Sequence, residues 1–383
     1  MKRILALVLT LALLLSCSSC LPVDSLYRPQ DTEPESSTAE SPFSPTLSAP
    51  PAWSTANDAA TAFLQYKGIV DCSKREYSYA EMLTDLRALA EAYPEHFSYE
   101  SFGQSVAGRE LYVAKLGNPN AKQQILVSAG IHGREYLTPL LVMKQMEFYL
   151  SYYEAGSCHD HTYRSLLNEF CFYVVPMTNP DGIMLAQAGL SSLSDEELYK
   201  GIYATYYKDY QYEYTQQTSV NEYLKIWKAN ANGVDLNRNF DALWDEYDGI
   251  KRPSHKNYKG TAAASEPETR AMVELTERLS NVRAVLCIHS QGEVLYWNCG
   301  QPEPLANQTR LFAKMISREN GYRVIPDQNN DASFSDWCAL KKGLIAVTVE
   351  TGTDSCPLPI SQFPTIWEQN YDLFMQSAAY FVK

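Results

Sequence analysis

Five short apolar runs, each bounded by polar or turn residues, set the rhythm of this sequence: "ELYVAKL" at 110–116, "QILVSAGI" at 124–131, "CFYVVPM" at 171–177, "RAVLCIHS" at 283–290 and "LIAVTVET" at 344–351. Their unbroken apolarity and β-branched content suit strands covered on both faces. Between and around them lie helix patterns at 78–93, 137–153, 265–280, 305–320 and 361–382. This alternation predicts a single α/β domain, its largely parallel or mixed central sheet flanked by helices. In such sheets functional groups gather beyond the carboxyl ends of the strands. His132 and Glu135 follow the second run, His289 closes the fourth and Glu350 closes the fifth.

The N-terminus has a different character. Lys2 and Arg3 precede "ILALVLTLALLL", an apolar stretch short for a bilayer span and suited to an export signal. "LLSC" resembles a bacterial lipobox, so residues 1–17 read as a lipoprotein signal peptide with Cys17 as the lipidated residue. Simple secretion after a cut before Pro22 is the alternative. Residues 18–55, rich in Pro, Ser, Thr and Glu, cannot bury enough apolar surface to offset the entropy of ordering, and read as a tether. The expectation is an exported chain, attached to a membrane only through lipid or secreted, with its folded domain at 56–383. A net charge of −13, with no basic run beyond the first three residues, excludes a general nucleic-acid binder.

Nine cysteines are present, and eight remain once Cys17 is set aside. An even number in an exported protein permits disulfides; Cys158 with Cys171, flanking one helical segment, is the first pair to test. "CHDH" at 158–161 reads as a loop cluster and carries no metal assignment. Residues 183–226 form a long insertion with Tyr199, Tyr203, Tyr206, Tyr207, Tyr210, Tyr212, Tyr214 and Tyr223. A groove for sugar or peptide is one use of such aromatics; packing a helical lobe against the domain is the expected role for most of them.

"GIHGRE" at 130–135 carries a histidine and a glutamate three positions apart, where a strand turns into a helix. Two such side chains can aim at one point, and His289 can supply a third donor from elsewhere. Two imidazoles and one carboxylate with an open fourth position make an accepted catalytic zinc set. A lone H-x-x-E is weak support for this, since most histidines at strand ends only pack or face solvent. Its weight comes from the motifs that follow it.

"GIHGREY", "TNPDGI", "GVDLNRNF", "IHSQGEVLYW" and "TVETG" stand in one order, and together they resemble the zinc carboxypeptidase family typified by carboxypeptidases A, B and T. The resemblance covers roughly residues 75–383. It implies an eight-stranded mixed sheet and one zinc per chain, with His132, Glu135 and His289 as ligands and Glu350 as general base and acid. It further implies that Asn237 and Arg238 grip the terminal carboxylate of a peptide substrate and that Arg134 contacts substrate. Where the family places a carbonyl-polarising arginine after a tryptophan, this sequence has Lys228, which keeps the charge and loses the fork. The family's mobile tyrosine would fall near Gln328, and Tyr322 is a poor substitute. Ser335, before "DW", stands where A-type enzymes carry a bulky apolar residue and B-type enzymes an acid. "WKAN" before "GVDLN" and "VETGT" with its downstream "CPLP" resemble the bacterial branch that cleaves γ-D-glutamyl–diamino acid bonds in cell-wall stem peptides. The expectation is a monomeric peptidase of that branch. A general metallocarboxypeptidase and a catalytically silent wall-binding lipoprotein are the alternatives.

Overall fold

The computed structural model describes residues 49–213, 218–326 and 331–382. The signal sequence, Cys17, Cys20, most of the tether, Tyr214 and Gln328 lie outside these residues. Strands are β1 (Phe97–Gln104), β2 (Glu110–Gly117), β3 (Gln123–Ala129), β4 (Ser157–Cys158), β5 (His161–Thr162), β6 (Phe170–Val175), β7 (Val282–His289), β8 (Val294–Tyr296), β9 (Arg323–Ile325) and β10 (Ala346–Glu350). Eight form one sheet in the order β1-β2-β6-β3-β7-β10-β8-β9, with β4 and β5 as a separate tiny hairpin. The central β6-β3-β7-β10 pairs are parallel, the β1–β2, β2–β6 and β10–β8 pairs are antiparallel, and the marginal β8–β9 pair is parallel again. The mixed eight-stranded α/β domain is therefore as expected.

Alternation along the strands assigns the two faces. Ile125, Val127 and Ala129 of β3 point into the larger core, with Ala284, Leu286 and Ile288 of β7. Leu126, Val285 and Cys287 point into a smaller core on the opposite face. Helices are α1 (Ala56–Leu64), α2 (Tyr79–Ala92), α3 (Leu137–Ser151), α4 (Tyr163–Glu169), α5 (Pro180–Ala188), α6 (Glu196–Glu213), α7 (Val220–Leu224), α8 (Pro267–Arg278), α9 (Leu305–Asn320), α10 (Phe334–Leu340), α11 (Phe363–Asn370) and α12 (Leu373–Ala379). Among the described residues, none is long and apolar enough to cross a membrane.

Helix α3, which leaves the site, is buried from Leu137 to Leu150. A helix buried all round must partner its charges. Lys144 Nζ reaches Glu147 Oε2 at 2.9 Å and the Val70 carbonyl at 3.2 Å, while Glu147 accepts from the backbone of Ile69 and Val70. Trp53 and Phe63 add ring contacts to Phe148 and Tyr152. Residues 51–70 therefore close the outer side of this helix.

Three expectations need correction. The 361–382 pattern is not one helix: it breaks into α11 and α12 at Tyr371–Asp372, where the Asp372 carboxylate turns inward to accept from Tyr163 Oη at 2.6 Å. Cys158 and Cys171 are both free, as is each of the seven described cysteines. Cys171 is locked inside the sheet on β6, and the Cys158 thiol is turned to Asp372. In the insertion, Tyr206 and Tyr223 do pack, in a satellite core with Leu185, Ile202 and Trp227. Tyr199, Tyr203 and Tyr207, however, form an exposed stripe along α6, so burial accounts for fewer of these rings than expected.

Candidate metal and active site

Three neighbouring parallel strands end side by side. Ala129 of β3 pairs with Ile288 of β7, and His289 at the tip of β7 pairs with Glu350 at the tip of β10. Beyond β3 the chain turns through Gly130, whose φ of 62° is costly for a residue with a side chain. Gly133 comes so close to its neighbours that a Cβ there would lie 2.3 Å from the Gly182 carbonyl oxygen. This close approach lets Gly133 N–H donate to the Lys228 carbonyl at 3.0 Å. Asn179 ties the same segments together, its amide donating to the carbonyls of Ile131, Lys228 and Ala229. One short loop thus fixes His132, Glu135 and the backbone of Lys228.

The three expected ligands do converge. His132, Glu135 and His289 are buried, and each offers a donor atom within 4.8 Å of the others. His132 Nδ1 lies 2.8 Å from Glu135 Oε1, and His289 Nδ1 lies 3.2 Å from Glu135 Oε2. The two imidazoles stand with ring centroids 4.9 Å apart. Burial pushes the Glu135 carboxyl up, but His132 and His289 more than offset it and hold it well below the usual range, in the ionised form a metal requires. Two imidazole nitrogens and a carboxylate, buried and aimed at one another from two segments of chain, fit zinc.

Asp235 orients this set, a role not readable from the "GVDLNRNF" motif that contains it. Fully buried, it places Oδ1 at 3.2 Å from His132 Nε2, near enough for an ion pair but without the alignment of a hydrogen bond. Burial opposes its charge, yet His132 and Arg238 keep the carboxyl well below its ordinary value. A carboxylate behind a ligating histidine fixes the ring and its tautomer. The same Asp235 caps the short turn Leu236–Arg238, accepting from Asn237 N–H at 3.2 Å, and so places the "NR" pair as well.

A cleft of about 230 Å³ opens over these residues, lined by His132, Lys228, Asn237, Arg238, His289, Tyr296, Asp331, Ser333, Ser335, Thr348 and Glu350. Lys228 Nζ stands 3.8 Å from Glu135 Oε1. Arg238 donates to the Asn237 carbonyl at 2.7 Å, lies over the Tyr247 ring and has a buried Nε without a hydrogen-bond partner. Asn237 Oδ1 accepts from Phe334 N–H, which ties the "NR" turn to α10. Ser335 Oγ lies 3.0 Å from Ser333 Oγ and accepts from Thr348 Oγ1 at 3.1 Å, giving the side pocket a hydroxyl wall. Burial pushes the Glu350 carboxyl up, Glu135 adds to this and His289 opposes it, leaving it at about 7. Arg134 is not among the cleft-lining residues, and its buried Nε is also unpartnered. Asp331, Thr348 and Tyr296 join the cleft without having been singled out in the sequence.

Residues 82–373 match the family model described as "Zinc carboxypeptidase". The chain is 31% identical to gamma-D-glutamyl-L-diamino acid endopeptidase 1 of Lysinibacillus sphaericus, over 79% of this chain and 72% of that protein. It is 26% identical to human mast cell carboxypeptidase A, over 59% of this chain and 48% of the other. Among solved structures it is similar to bovine thrombin-activatable fibrinolysis inhibitor, with a TM-score of 0.61 and 19% identity over 80% of this chain and 97% of that one. That last likeness speaks for the fold alone. The sheet, the His-Glu-His cluster and the matched span agree: this chain belongs to the zinc carboxypeptidase family and is a zinc-dependent peptidase.

Proposed function

We propose that this peptidase hydrolyses the γ-D-glutamyl–diamino acid bond of cell-wall stem peptides, working outside the cytoplasm as a monomer tethered through Cys17 or released after secretion. The observation that carries the reading is the polar cleft over His132, Glu135 and His289, with Ser335 in the side pocket and Lys228 beside the metal cluster. The named activity of the Lysinibacillus sphaericus relative supports it. When bound, zinc supplies the Lewis acidity that acidifies a water and polarises the scissile carbonyl. Glu350 takes the water's proton and returns it to the departing amine. Lys228 places a positive charge where the carbonyl oxygen becomes anionic. Arg238 and Asn237 hold the carboxylate of the departing residue, the guanidinium donating to it through Nε, which has no hydrogen-bond partner of its own, and through Nη2 beside Asp331.

Incubation of the zinc-loaded protein with L-Ala-γ-D-Glu-diamino acid, and separately with N-blocked dipeptides ending in aromatic or basic residues, tests this by mass spectrometry. Release of the diamino acid at the higher kcat/KM is expected. A preference for the blocked dipeptides would instead make the protein a general carboxypeptidase.

The acid limb of the pH profile follows from the base. Glu350 acts as a carboxylate, so activity falls as protonation sets in. The metal-free carboxyl titrates at about 7, and a dication beside it favours the charged form, so kcat/KM rises with pH along a limb centred below 7. A profile of kcat/KM that climbs on acidification would remove Glu350 from the role of base.

A further inference from the structure

Asp331 is the one carboxylate on the cleft wall, among the described residues, that the hydrolytic chemistry does not use. It is about one-third exposed, and its Oδ2 lies 3.3 Å from Arg238 Nη2. Arg238 has holds besides Asp331: Nη1 donates to the Asn237 carbonyl, the group lies over Tyr247, and Asp235 as well as Asp331 favours its charge. Asp331 is itself placed by the start of α10, its backbone N–H facing Asp336 Oδ2 at 3.3 Å, and it is followed by Ala332 in a left-handed conformation with φ 51°. The same cleft wall carries the hydroxyls of Ser333, Ser335 and Thr348.

Charge balance gives this placement a consequence. When a substrate carboxylate occupies Arg238, two anions share one guanidinium in a partly buried pocket. An apolar side chain arriving there leaves Asp331 without a counter-charge, which is costly. A side chain that carries its own ammonium restores the balance and meets a hydrogen-bond acceptor. We infer that Asp331 is a specificity-determining residue, the group that receives the second ammonium of the diamino acid while Arg238 and Asn237 hold its carboxylate. This rests on the substrate reading above and names the group that makes the choice. The Arg238–Asp331 pair is complementary to an amino acid bearing an anion and a distant cation, and it rejects the uncharged isostere through the unpaired carboxylate.

The test compares lysine with norleucine as the departing residue, each presented behind a γ-D-glutamyl bond and each behind an ordinary α-peptide bond. In the wild-type enzyme kcat/KM favours lysine by about 10-fold to 100-fold, the range of one charge-assisted hydrogen bond. In Asp331→Asn this ratio collapses towards unity, and Asp331→Glu recovers part of it. A carboxylate that merely supported Arg238 would lower both substrates together and leave the ratio where it was, which overturns the inference, as does a wild-type ratio near one. Cleavage of the α-linked pair alone would refute the γ-D-glutamyl reading, while the lysine-to-norleucine ratio would still decide the role of Asp331.

Discussion

Replacing Glu350 by glutamine lowers kcat by a factor on the order of 10³ to 10⁴ at neutral pH, at the upper end of what a positioned general base contributes. Zinc content stays at one per chain, because Glu350 is not one of the three converging donors. The fold is kept as well: the side chain faces the cleft, and the backbone of β10 is held by β7 and β8 whatever the side chain is. Burial of an uncharged amide where a carboxyl sat at about 7 removes a charged form that the site disfavours in the absence of metal. Metal analysis together with steady-state kinetics checks the outcome. A variant that retains more than a tenth of wild-type turnover would show that another group takes the proton.

Removal of zinc has the second large effect. Chelation abolishes turnover and exposes the cost of what remains, two imidazoles and a carboxylate packed together out of water. Zinc present at 1,000 times its dissociation constant contributes about 4 kcal/mol to stability. For a domain of this size that corresponds to a fall in Tm of roughly 5 to 10 °C on chelation. His289→Ala removes one ligand and leaves Glu135 Oε2 with only the Ser290 backbone N–H, at 3.2 Å. This variant is inactive, carries little zinc, and melts at the same temperature with or without chelator. Calorimetric scans of both proteins, with and without added zinc, provide the check; a chelator-dependent Tm in the variant would mean that the metal sits elsewhere.

The parts of the molecule that announce themselves in the sequence are those whose physics is local. The five apolar runs fall on β2, β3, β6, β7 and β10 to within about two residues at each end, and α9 matches its pattern throughout, since burial on both faces and a 3.6-residue stripe leave direct marks. β1 escapes because its outward-facing residues are polar, and β8 and β9 because three residues hold no pattern. The helix break at Tyr371–Asp372 depends on Tyr163, some two hundred positions away, and no window of sequence contains both. The site divides in the same way. His132, Glu135, His289 and Glu350 are legible because strand ends and motif order mark them. Asp235 and Asp331 act through partners distant in sequence, His132 and Arg238, and only the folded chain brings those pairs together.

The hydrogen-bonded union of β3, β7 and β10 also separates two kinds of change open to this protein. Groups that break the bond are carried at the tips of strands that cannot slide past one another without turning every side chain to the wrong face. The groups proposed to choose the substrate sit on the turn 236–238 and at 331–335, outside that ladder. Reshaping the second set leaves the first in register, so a new diet can be selected, or engineered, on an unaltered hydrolytic frame.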